Sequence, residues 1–186
     1  AHYRLDRLNG EAKQFYNNGN IFFNLNYKNN VLHGEFKKYS ISNVLLSKGN
    51  YTYGKLDGNL KLYNNLGIMT YNYNYNKGKL DGIFNFYYDT GEINVSCNYK
   101  NNRLHGNYKS FYENGNIEED KNYRFGFLND TATYYDINGF KIIEKDYNFG
   151  MKHGFVRVYF KNGYILHELH YKKNNLDGFI KSFYEN

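Results

Sequence analysis

Hydrophobic and polar positions alternate in short runs along this chain, and the runs recur. Gly34-Glu35-Phe36-Lys37-Lys38-Tyr39 shows the two-residue period of a pleated strand, and a second run closes on Tyr51. No apolar period of 3.6 residues survives beyond one turn, so helices are not expected. Aligned on Leu8, Leu32, Leu56, Leu80, Leu104, Leu128, Lys152 and Leu176, the chain repeats every 24 residues without insertion or deletion. Seven residues after each anchor stands an aromatic, from Phe15 through Tyr87 to Phe183. Nineteen residues after it stands a tyrosine in every complete unit, from Tyr27 to Tyr171.

Each unit therefore predicts one β-hairpin. Its first turn is written Asn18-Gly19, Thr90-Gly91, Asn114-Gly115, Asn138-Gly139 or Asn162-Gly163, the sequence of a two-residue hairpin loop in which both central residues have positive φ. A second turn falls at Asn30, Gly54, Gly78, Asn102, Gly126, Gly150 and Asn174, again residues that tolerate the left-handed region. The expected fold is all-β: an elongated single-layer antiparallel meander over residues 1–186, twisted or curled, with the periodic rings as its core. The last unit stops at Phe183-Tyr184-Glu185-Asn186, and an open sheet edge there invites continuation of the chain or edge-to-edge self-association.

Composition sharpens this picture. Of 186 residues, 23 are Tyr and 15 Phe, with no Trp and no Pro, so rings rather than aliphatic side chains must supply most of the buried area. Mean hydropathy is −0.83. No run approaches a membrane span, which requires about 18 apolar residues. The residues before Leu8 are too short and polar for a signal peptide. The single Cys97 excludes a disulfide framework. One cysteine suits the cytoplasm, yet many secreted proteins also lack disulfides, so composition leaves the compartment open, with a secreted or cell-surface location slightly favoured over the cytoplasm. Net charge is +6, but the cations recur at intervals rather than clustering, which does not suit a nucleic-acid binder.

Units such as Leu80-Asp81-Gly82, followed by Tyr87-Tyr88-Asp89-Thr90-Gly91-Glu92-Ile93 and Tyr99-Lys100-Asn101-Asn102, resemble MORN repeats, and more closely the bacterial YwqK-type variant, over essentially residues 8–186. Two units depart from the pattern. Unit 128–151 has Asp130 for the glycine and Lys141 for an apolar residue, and unit 32–55 has Asn43 for the turn glycine; both are expected to be distorted. The resemblance implies a scaffold or binding module, without catalytic residues or cofactor, acting on a protein partner or a membrane surface. The antitoxin label attached to that variant adds neutralisation of a partner protein as a third reading.

Candidate contact residues follow from the repeat. Five residues after the anchors lie Lys13, Lys37, Lys61, Lys109, Arg157 and Lys181, on the strand face of the periodic ring and roughly 10 Å apart in alternate strands. Such a row suits an acidic protein face, anionic lipid or glycan; as a purely structural feature it is the solvated rim of a sheet. Rings that break the period are the better contact candidates, because the hairpin does not demand them: Phe22, Tyr53, Tyr73, Phe125, Phe149 and Tyr164 among them. Asn26, Asn50, Asn74, Asn98 and Asn122 recur one residue before the closing tyrosine and are expected to ladder through their amides. His33, His105 and His153 occupy a turn slot too far apart to share a metal, and His167-Glu168-Leu169-His170 has the wrong spacing for a zincin site. No phosphate loop or nucleophile elbow is present.

Overall fold

The computed structural model describes residues 2–4 and 7–185, so the ends of the expected 1–186 array lie partly outside the described residues. No helix occurs among them; the protein is all-β and every strand pairing is antiparallel. The chain divides into two compact units, residues 1–92 and 93–186.

In residues 1–92, Arg7–Phe15 pairs with Ile21–Lys28, Gly34–Tyr39 with Leu45–Thr52, and Gly58–Tyr63 with Met69–Asn76, and each hairpin pairs with the next. In residues 93–186 the same meander runs through Ile93–Lys100, Arg103–Phe111, Ile117–Arg124, Asp130–Tyr135, Lys141–Asn148, Met151–Tyr159 and Ile165–Lys172. Among the described residues no strand crosses over within either unit.

The two turns of each hairpin exchange the roles expected of them. At the Asn-Gly turn only the glycine is left-handed, as at Gly19 (φ 85°). Its N–H donates to Tyr16 O at 3.0 Å, and Tyr16 N–H donates to Asn20 O at 2.8 Å. That is a type I turn closed by a glycine bulge, not a two-residue loop. The two-residue loop lies at the second turn, where consecutive residues both have positive φ: Asn29 and Asn30 (52° and 69°), between the paired Lys28 and Val31. The expected distortions do not occur. Asn43 takes φ 61° and repeats the turn hydrogen bond to Ser40 O, and Asp130 takes φ 66° in register opposite Tyr147. Asn and Asp visit the left-handed region at modest cost because their short side chains hydrogen-bond locally.

One face of each sheet carries the core, which is thin. In residues 1–92, Tyr71 stacks on Phe86 (5.0 Å), Tyr73 packs on Phe84 (5.1 Å) and Phe36 on Tyr51 (5.0 Å). In residues 93–186 the buried side chains are small, Cys97, Ser110, Ala132 and Val156. Beside them the Lys121 ammonium lies 5.4 Å and 5.0 Å from the Tyr108 and Tyr134 ring centroids and pairs with Glu119 at 2.6 Å. All seven closing tyrosines are half-buried. In two units the asparagines bond backbone instead of forming the expected amide ladder: Asn26 donates to Glu35 O and Asn74 to Ile83 O, each at 2.7 Å. These asparagines tie down the bulge at the next repeat's glycine, where the strand needs an extra partner.

Candidate functional site

In each unit a turn edge and a lysine face hold the candidate residues, and the backbone decides what each presents. Tyr53, Phe125 and Phe149 occupy the first central position of the two-residue loops, with φ of 49°, 53° and 46°. Other repeats place Asn29, Lys77, Asn101 or Lys173 there. A bulky ring in the left-handed region costs about 1–2 kcal/mol, because its Cβ crowds the following carbonyl oxygen. These three rings are nevertheless 69%, 52% and 46% exposed, so burial does not offset that cost.

Their neighbours hold them in place. His33 Nδ1 accepts from Tyr53 N–H at 3.4 Å and its ring lies 5.1 Å from the tyrosine; His105 treats Phe125 identically. Asn9 and Asp57 cap the same turn in other repeats, so the histidines are turn residues. In residues 93–186 the Arg124 guanidinium lies 6.0 Å from the Phe125 centroid and 5.5 Å from that of Phe149. Exposed Phe127 and Met151 follow these two turns. The edge is thus apolar at its tips and cationic between them.

The other irregular rings lie elsewhere. Phe22 is the extra residue of a bulge, half-buried against Tyr16 and Phe23 under the Lys38 ammonium. Tyr73 belongs to the packed ring cluster. Tyr164 stands exposed just after the Asn162-Gly163 turn. Parity along the strand does not reveal the bulge that turns Phe22 inward.

The lysine face places each repeat cation directly opposite the residue sixteen after an anchor, a relationship set by strand register. In residues 93–186 that residue is acidic in each hairpin (Asp120, Glu144 and Glu168), while Ser96 faces Lys109 from its other side. Lys109 pairs with Asp120 at 3.0 Å, and Glu168 bonds Arg157 at 2.9 Å and approaches Lys181 at 3.6 Å. The Arg157 hydrogen bond draws the Glu168 carboxyl below its ordinary pKa. Tyr159 donates its hydroxyl to Glu144, which also holds Lys141, on this same face. In residues 1–92 the opposing residues are Asn24, Lys48 and Asn72. Lys13 and Lys37 turn instead to Glu11 (3.3 Å) and Glu35 (2.9 Å) on their own strands. Among the described residues Lys61 and Lys48 have no ion-pair partner.

Among the described residues no three of His, Cys, Asp and Glu converge as a metal set would. Burial raises the Cys97 thiol to about 11, which keeps it protonated at neutral pH and inert as a nucleophile. Among the described residues no helix is long and apolar enough to cross a membrane.

Residues 8–29, 80–101 and 104–124 match the family model of the MORN repeat variant. These segments cover parts of three hairpins, including both left-handed turn residues Asn29 and Asn101. No curated protein matches the chain.

Proposed function

We propose that this chain, three of whose segments match the MORN repeat variant, is a non-enzymatic binding module that engages a protein partner through the turn edges of its units. The observation that carries this reading is the left-handed backbone at Tyr53, Phe125 and Phe149. Strain of this kind persists where something other than the fold requires the side chain. Asparagine or lysine fills the same position in sister repeats, so the hairpin itself has no need of a ring. Exposed aromatic anchors beside arginine are also the side chains that dominate protein interfaces.

A second reading, peripheral attachment to anionic membrane, draws on the same edge, because Phe125, Phe127, Phe149 and Met151 flank Arg124 at the tips of loops.

One experiment addresses both. The full chain and a Tyr53→Asn/Phe125→Asn/Phe149→Asn variant are compared by crosslinking capture and by sedimentation with anionic and neutral vesicles. Capture of a defined protein by the wild type and its loss in the variant support the first reading. Charge-dependent vesicle binding lost in the variant supports the second. If the variant equals the wild type in both assays, the turn edge has neither role.

A further inference from the structure

We propose that the lysine face of residues 1–92 docks an extended acidic segment of a protein partner, whose carboxylates fill the places that Asp120 and Glu168 hold in residues 93–186. The inference is independent of the turn edge, since it concerns the sheet face and different side chains.

The two units answer the same register position differently. In one, every repeat cation with a charged residue opposite it finds a carboxylate. In the other, Lys48 stands opposite Lys37 on one side and Lys61 on the other, three cations on adjacent strands. Like charges directly opposite one another destabilise a sheet. A carboxylate at residue 48 would relieve both contacts, as Glu168 does between Arg157 and Lys181, yet lysine stands there. Lys48 and Lys61 are thus left without a carboxylate on this row.

Its shape favours a chain over a membrane. Lys48, Lys61, Asn50, Asn59 and Glu35 line an open cleft of about 300 Å³. Glu11 and Glu35 stand on the same face beside the lysines. Glu35 lines the cleft and Glu11 stands beside Lys13, each already paired, so a continuous anionic surface meets both carboxylates while a single strand of chain can run along the unpaired Lys48 and Lys61. Lys37 and Lys61 flank Lys48 two strand spacings apart, roughly 10 Å, and an extended peptide covers that distance in about three residues. The fitting partner is therefore an extended segment with an acidic residue at every third position.

The test uses the full-length chain and a fluorescent peptide with glutamate at every third residue and Gly-Ser between, followed by anisotropy at low and high salt. A peptide with lysine in place of glutamate and anionic vesicles serve as comparison probes. The wild type is expected to bind the glutamate peptide in a salt-sensitive manner and to ignore the lysine peptide. Lys48→Glu supplies the missing carboxylate from within; it is expected to raise the melting temperature while weakening the peptide by about tenfold or more. Lys61→Gln weakens binding to a smaller extent and keeps the test open should the first variant not fold. Equal peptide binding by wild type and Lys48→Glu, or binding of vesicles with none of peptide, overturns the proposal.

Discussion

The side-chain amide of Asn74 donates to the Ile83 carbonyl at 2.7 Å, and a Cβ added at Gly82 would lie 3.1 Å from the Asn74 Cβ. The glycine and the asparagine, eight residues apart, thus form one device. Gly82, at φ 110°, bends the strand into its bulge, and Asn74 satisfies the carbonyl that the bulge exposes. Gly82→Ala meets both the backbone strain and the close contact and is expected to cost ~1–3 kcal/mol. Asn74→Ala leaves the carbonyl unpaired and costs ~1 kcal/mol. Urea melts of both single variants and the double variant check this, with a double-variant loss smaller than the sum of the two.

Asp130 occupies the same repeat position as Gly82 with φ 66°. Asp130→Gly removes the left-handed penalty and is expected to stabilise residues 93–186 by ~0.5–1 kcal/mol, read as an increase in melting temperature.

Tyr53 carries that penalty on an exposed ring. Tyr53→Asn is expected to raise stability by ~1 kcal/mol, an unusual outcome for removal of an aromatic. Differential scanning calorimetry decides it, and a loss of stability would mean that the His33 contact outweighs the backbone strain.

Lys121 is held by Glu119 and the rings of Tyr108 and Tyr134 on the packed face. Lys121→Ala strands a half-buried carboxylate and is expected to cost ~1–3 kcal/mol, whereas Lys121→Met with Glu119→Gln recovers much of that loss. Chemical denaturation of the three variants gives the comparison.

Alkali is expected to unfold the protein. Burial raises Cys97 from 9.0 to about 11 and Tyr108 from 10.0 to about 12, so folding favours their protonated forms. Their contribution is intact below the unfolded values and is lost as pH rises from about 9 to 12. Acid acts oppositely on Glu168, whose pKa Arg157 holds down: its share of stability is present above the ordinary carboxylate range and disappears as pH falls through the lowered value. Tyrosinate absorbance and circular dichroism followed against pH locate the alkaline window, and Cys97 should resist alkylation at neutral pH.

Much of this architecture was legible from periodicity. A 24-residue recurrence of glycine, ring and tyrosine specifies turns and strand parity, which depend only on neighbouring residues. Hence Lys37 and Tyr39 fall on one face, and Asn30 and Gly54 fall in left-handed turns. The roles of the asparagines, and of Phe22 and Tyr73, were not legible. Bulges shift the facing of a strand without altering its alternation, and each asparagine's partner lies in the next hairpin.

Charge makes the division plainest. The order of amino acids determined that a cation stands at the fifth position after most anchors. Only cross-strand register determined what faces it, because pairing brings together residues eleven or more apart through turns and bulges whose combined offset no local pattern encodes. That offset sets Glu168 against Arg157 in one half of the chain and Lys48 against Lys61 in the other.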